Sequence, residues 1–442
     1  MRNMQNRQPP VWLNESAAYM VKTVDGRNMC RKAGFEKMDV QKQQLQEMVI
    51  KKIDLTRDLQ DEEILEVIDD ILMSEGRDRY LSMKEKKRLR MDIFNSIRRL
   101  DILQELVEDS TITEIMINGA EHIFIEQNGA IRRWDKKFES DKKLEDVVQQ
   151  IVSKSNRIIN EASPIVDARL SDGSRVNIVL PPIALEGPVV TIRKFPENPI
   201  TMKKLIDMGS LSEEAASFLE KLVISGYNIF ISGGTGSGKT TFLNVLSNFI
   251  PKEERVITIE DSAELQIRNI PNLVRLEARN ANVEGKNEVT IKDLIKSSLR
   301  MRPDRIIVGE VRDAAAIDML QAMNTGHDGS LSTGHANSTV DMLNRLETLV
   351  LMGAELPLLA VRKQIASAID IIIHLGRLRD KSRRVLEVAE ILDCVDGEIE
   401  VNKLYVFREI GEDEQGIVIG KLHKTNNELI NLSKLSKAGI LW

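Results

Sequence analysis

The chain has 442 residues, enough for two or three domains, and its 42% apolar and 29% charged content is that of a folded, water-compatible protein. A formal charge of −6 with only 4% aromatics argues against nucleic acid as the main partner. Two cysteines, Cys30 and Cys394, and five scattered histidines argue against a disulfide scaffold or a zinc site, and no apolar run reaches the roughly 18 residues of a membrane span.

Residues 1–35 mix polar residues with Pro9-Pro10 and show no period, so they read as a flexible tail without the apolar core of a signal peptide. Residues 36–106 read as a small helical bundle. Leu45, Met48, Val49 and Ile53 share one helical face. Ile64, Val67, Ile68, Ile71 and Leu72 repeat the pattern, and Ile93, Ile97, Leu100 and Leu103 make a third stripe. The basic run Lys84–Arg90 reads as a solvated helix face.

Residues 107–196 read as an α+β domain. Thr113–Ile117 and His122–Glu126 are expected strands, and Asn128-Gly129 is a hairpin turn. Leu144 to Ile159 is an expected helix, and Val176–Leu180 and Val189–Arg193 are further strands. Pro196-Glu-Asn-Pro199 marks a linker, placed at 197–200. From 201 to 442 strands alternate with helices, as a parallel α/β sheet requires, and the segment from Leu404 reads as strands and turns without chemistry.

The strongest motif of the chain lies here. Gly233-Gly234-Thr235-Gly236-Ser237-Gly238-Lys239-Thr240-Thr241 fits the phosphate-loop pattern, after an apolar strand and before a helix. Its glycines let backbone N–H groups converge on phosphate oxygens. Lys239 is expected at the β- and γ-phosphates, and Thr240 is expected to ligate Mg²⁺. The expected ligands are therefore ATP and Mg²⁺.

Hydrolysis also needs carboxylates. Arg255–Glu264 is a strand ending in Glu260, Asp261 and Glu264, and Asp304–Asp313 is a second strand ending in Gly309-Glu310. Ligands of α/β folds bind at the C-terminal strand edge, where these acids and the phosphate loop should converge. Glu310 is the candidate water-activating base, and Gly309 stands where the usual motif carries aspartate. Mg²⁺ would rest on Thr240 with Asp261 and Glu310, and Glu260 and Glu264 could act through water. His327 and His335 lie in one run of hydroxyls and glycines, Asn324–Ser338, in which Ser330–Thr333 reads as a short strand leading into a polar turn; the run suggests a phosphate-sensing loop in which His335 meets a phosphate or Glu310.

The phosphate loop, Thr258–Leu265, Leu299–Arg312 and Gly326–Asn337 together resemble the type II/type IV secretion ATPase superfamily. There they are the Walker A, aspartate box, Walker B and histidine box. Pro164–Asn177, Thr191–Phe195 and Met319–Asn324 resemble the tight-adherence (Flp) pilus branch, the CpaF type. The resemblance runs from about residue 100 to 410. It implies a RecA-like P-loop NTPase domain preceded by a PAS-like α+β domain. It also implies a homohexamer that hydrolyses ATP in the cytoplasm, peripheral to the membrane and beneath inner-membrane pilus platform proteins. No direct nucleic-acid contact is expected. Arg169, Arg175 and Arg193 match the arginines that reach the nucleotide phosphates in that family. Gly334 stands where relatives carry a larger residue, which is expected to loosen the loop holding His335. Substrate export or DNA transfer within the same superfamily, a nucleic-acid motor and a non-hydrolysing scaffold are the competing readings.

Overall fold

The computed structural model describes residues 44–53, 59–75, 82–154, 157–195, 199–279, 281 and 287–440. The expected tail over 1–35, Cys30 and linker residues 197 and 198 lie outside those residues. The chain divides into two compact units, Met1–Glu197 and Asn198–Trp442.

The first unit opens with helices α1 (44–52), α2 (Asp61–Glu75) and α3 (Met83–Arg98). Ser82 and Glu85 form a reciprocal capping box that starts α3. Val49, Ile68, Ile93 and Phe94 meet in one core, whereas Met48 is exposed. Around the buried Leu89, the basic run is exposed or half-buried, and Arg90 pairs with Asp69 at 2.7 Å. The third apolar stripe divides because α3 stops at Arg98. Ile93 and Ile97 stay with the bundle, while Leu100 and Leu103, at the start of α4 (Leu103–Glu108), join the core of the following sheet.

That sheet is antiparallel throughout. Its strands are β1 (Ile112–Asn118), β2 (His122–Gln127), β3 (Ala130–Arg133), β4 (Ile165–Arg169), β5 (Arg175–Val179) and β6 (Val189–Arg193), in the order β3-β2-β1-β6-β5-β4. Helix α5 (Asp141–Lys154) buries Leu144, Val148 and Ile151 in the sheet's core. It ends before Ile159, the expected terminus. Ile159 instead enters the core from beyond the helix, and its carbonyl accepts a bond from Gln149.

The second unit is a nine-stranded sheet, ordered β15-β14-β13-β12-β7-β11-β10-β8-β9. The parallel strands are β7 (Ile229–Gly233), β8 (Val256–Glu260), β9 (Leu273–Glu277), β10 (Arg305–Val308), β11 (Leu331–Gly334) and β12 (Ile371–Arg377). An antiparallel meander of β13 (Arg383–Val395), β14 (Glu398–Glu412) and β15 (Val418–Lys424) extends one side. Both faces of the parallel part are covered. Helices α6 (Met202–Asp207), α7 (Glu213–Ile224) and α8 (Lys239–Ser247) share a core with Ile229 and Ile231. Helices α9 (Ile291–Ser298), α10 (Ala315–Asn324), α11 (Thr339–Gly353) and α12 (Leu358–Ala368) share the opposite core with Phe230. A strand buried on both faces reads as an unbroken apolar run, which is why Ile229–Ile231 was legible. Beyond the meander, helix α13 (Ser433–Lys437) places Lys434 2.7 Å from Asp370 and 2.9 Å from Asp328. Glu390 receives the backbone N–H groups of Ile430 and Asn431. The C-terminal segment is thus an anchor, and it includes a short helix beside its strands.

Candidate nucleotide site

Four parallel strands deliver the candidate residues to one sheet edge. Strand β7 ends in the phosphate loop, β11 in His335, β10 in Gly309-Glu310 and β8 in Glu260. Because β11 lies between β7 and β10, His335 stands between the loop and Glu310.

The loop is a tight turn closed by Ser237, whose hydroxyl donates to the Gly234 carbonyl at 2.9 Å. Gly238 has φ 95° and precedes α8 without a side-chain cap, so the first-turn N–H groups of α8 remain for an anion. Lys239 is buried. Its ammonium donates to the carbonyls of Gly233 and Gly234 at 3.0 and 3.1 Å and lies 3.3 Å from His335 Nδ1. Burial pushes its pKa down and the Glu310 charge pulls it back.

Glu310 is half-buried. Its Oε2 accepts a bond of 2.8 Å from Arg312, and His335 Nε2 lies 2.9 Å from Oε1. That contact lacks hydrogen-bond alignment, so Oε1 is a buried carboxylate oxygen still lacking a donor. Burial pushes the Glu310 carboxyl up, but the Arg312 hydrogen bond and the charges of Arg312, His335 and Lys239 outweigh it and hold it below its ordinary value. Burial, then Lys239, pushes the His335 imidazole down, so it is mainly neutral at pH 7.

Glu260 has a different post. Its Oε1 accepts the N–H groups of Glu264 and Leu265 at 2.7 and 2.9 Å, closing the turn after β8, while its buried Oε2 has no partner. Burial pushes its pKa up against those two bonds. A Cβ on Gly309 would stand 2.9 Å from Glu260 Cγ. Glu260 therefore occupies the space that an aspartate at position 309 would need. Asp261 is exposed, 3.8 Å from Arg312, and Thr240 and Thr241 are half-buried in the first turn of α8. No cluster of three His, Cys, Asp or Glu fit for a metal ion occurs among the described residues. The hydroxyl of Thr240 and the carboxylates of Asp261 and Glu310 are hard oxygen donors of the kind Mg²⁺ takes, and it commonly completes its shell with water and phosphate. The residues present fit the ion.

The run that holds both histidines is cut by β11, which carries them to opposite edges, roughly 13 Å apart at 3.3 Å per residue. His327 sits at the far edge, where Nδ1 lies 3.1 Å from the Ala322 carbonyl at the end of α10. It is no part of a sensing loop. Gly334 does not loosen the loop either. It ends β11 in register with Ser232, and a Cβ there would lie 3.0 Å from both Met342 and Phe230, so a larger residue would need those two side chains to give by a few tenths of an ångström.

In the first unit, Arg169 pairs across the ladder with Arg175, Arg175 with Arg193, and Arg193 with Glu114. Directly opposed residues share a sheet face, so three guanidiniums stand in a row. Like charges so placed cost stability unless an anion or other contacts offset them.

Arg312, Arg377, Arg383 and His374 had no assigned role in the sequence. His374 is buried on β12, 3.2 Å from Ser232 on β7, and burial pushes its imidazole down. A charged residue within two positions of a motif acid is the one signal that marked Arg312. The others come from β12 and β13, strands far along the chain that only the fold brings beside the loop.

A sequence profile described as Type II/IV secretion system protein matches residues 98–415. A putative conjugal transfer protein of Mycobacterium tuberculosis (strain H37Rv) is 34% identical over 305 residues, covering 68% of this chain and 86% of that one. Protein VirB11 of Agrobacterium fabrum is 32% identical over 325 residues, covering 66% of this chain and 91% of that one. Among solved structures, the pilus retraction motor PilT with bound ADP is similar, with a TM-score of 0.50 and 20% identity over 77% of this chain and 87% of that one. Among the described residues, no helix is long and apolar enough to cross a membrane.

Proposed function

The chain belongs to the type II/IV secretion system ATPase family, and from that premise we propose that it is the motor of a Flp or type IV-like pilus. It works as a homohexamer in the cytoplasm, docked beneath inner-membrane platform proteins. The observation that carries the motor reading is the single sheet edge that gathers Lys239, His335 and Glu310. The Flp branch rests on the sequence resemblance of Pro164–Asn177, the segment that forms the β4–β5 hairpin and carries Arg169 and Arg175.

The chemistry follows from the residues. The loop N–H groups and Lys239 hold the β- and γ-phosphates of ATP, and Lys239 leaves its carbonyl partners to do so. Mg²⁺, when bound at Thr240 with Asp261 and Glu310, supplies charge neutralisation on the phosphates. Glu310 orients a water through Oε1 and takes its proton as the water oxygen bonds the γ-phosphorus and the bond to the ADP oxygen breaks. Neutral His335, between Lys239 and Glu310, couples phosphate occupancy to the base. Glu260 and Glu264 shape the turn beside it. Arg169, Arg175 and Arg193 bind phosphate oxygens, which guanidiniums hold bidentately.

Lys239→Ala should weaken binding of a non-hydrolysable ATP analogue by roughly 10- to 100-fold, the value of a charge-assisted contact. Titration calorimetry checks this, and wild-type affinity would remove Lys239 from the phosphates.

A second reading, conjugal DNA transfer or secretion, is favoured by the names of relatives such as the mycobacterial one. Deleting the chain in its source cell separates the two. Loss of surface pili in electron micrographs, restored by wild type but not by Glu310→Gln, supports the pilus reading. Normal piliation with loss of plasmid transfer supports the second.

A further inference from the structure

Strands β12 and β13 are joined by a short turn, and Arg377 at the end of one is the direct ladder partner of Arg383 at the start of the other. Both are exposed, and both lie against the phosphate loop. Arg383 Nε donates to the Gly236 carbonyl at 2.9 Å, and its Cδ lies 3.4 Å from where a Cβ on Gly238 would be. A guanidinium nitrogen of Arg377 lies 3.7 Å from the corresponding point on Gly236.

The hairpin carries four arginines, and three are engaged. Arg379 binds Glu409 and Glu412, Arg384 donates to the Met208 carbonyl at 3.0 Å, and Arg383 holds the loop. Arg377 has no hydrogen-bond or carboxylate partner among the described residues. Two like charges opposed on an antiparallel ladder cost stability, and the neutral Gly236 carbonyl that Arg383 holds brings no negative charge that repays it. An anion on the loop would. The glycines at 236 and 238 keep that approach clear of side chains.

The geometry points to Arg377 as a guanidinium that binds the polyphosphate of the nucleotide held by the loop, and to Arg383 as the positioning residue that fixes the loop for it. Both belong to the same unit as the loop, unlike the arginine row of the first unit. The assignment rests on the reading of residues 233–241 as a nucleotide site. It also explains why β12 and β13 extend past the sheet edge: they carry a cation to the loop from the side opposite Glu310, since β12 and β11 flank β7 on different sides.

The test is calorimetric binding of a β,γ-imido ATP analogue and of pyrophosphate to wild type, Arg377→Ala, Arg377→Lys and Arg383→Ala, with steady-state kinetics beside it. Arg377→Ala should bind both ligands about tenfold or more weakly, and Arg377→Lys should recover part of the loss, because it keeps the charge without the fork. Arg383→Ala should raise KM for ATP more than it lowers kcat. Unchanged affinity in Arg377→Ala overturns the assignment. A loss confined to the nucleotide, with pyrophosphate unaffected, also overturns it, by placing Arg377 on sugar or base. A wild type that binds neither ligand removes the nucleotide site itself, so the two failures are distinct.

Discussion

Glu310→Gln is expected to bind an ATP analogue as the wild type does and to lose turnover by roughly 10²- to 10⁴-fold, the range of a removed general base. Glutamine has the shape of the glutamate and its carbonyl oxygen can still accept from Arg312, so the neighbours need not move. What it lacks is the ability to take a proton. The wild-type carboxyl is suited to that task, since the cations around it keep it ionised at neutral pH. Single-turnover hydrolysis with saturating enzyme separates the chemical step from binding and product release. Single-turnover rates equal to those of wild type would remove Glu310 from the chemistry, and Glu260, the other buried carboxylate at that edge, would be next to examine.

Arg305→Ala is expected to destabilise the second unit by about 1–3 kcal/mol, the cost of leaving the acceptors around a buried guanidinium without their donor. Arg305 is 2% exposed at the start of β10. It pairs with both carboxylate oxygens of Glu254 and donates to the Val223 carbonyl at 2.6 Å, tying the loop before β8 and the end of α7 to the strand that leads to Glu310. Alanine would leave Glu254 unpaired and the carbonyl without its donor. Against a total stability of about 5–15 kcal/mol, that is a large share. Replacing both partners by methionine should cost less than Arg305→Ala alone, because no stranded charge remains. Urea unfolding of the three proteins decides. A loss below about 1 kcal/mol in Arg305→Ala would mean that the pair contributes little.

The parallel sheet and its motifs were legible because each motif reports local backbone. A strand buried on both faces is an apolar run, and a phosphate loop needs its glycines in sequence. What failed was whatever depends on a neighbour. Ile165–Arg169 alternates inward and outward as a half-buried strand does, but at five residues its signal is weak, and the sequence reading places no strand there. The two histidines share a run of small polar residues; the short strand expected at Ser330–Thr333 is there as β11, and its pairing with β7 and β10 shows that the histidines part. Gly309 and Gly334 looked like departures from a pattern. At Gly309 a Cβ would run into Glu260, and at Gly334 it would crowd Met342 and Phe230. Arg377 and Arg383 lie some 140 residues beyond the loop they flank, and no spacing rule links them.

The closed ring proposed for this ATPase makes a direct demand on its kinetics. The most direct measurement is steady-state ATP hydrolysis by the purified protein over a wide range of protein concentration. If turnover needs the neighbours of a ring, specific activity rises as rings assemble and then levels off. Hydrolysis whose specific activity is the same at every concentration, from a protein that stays monomeric, would contradict it.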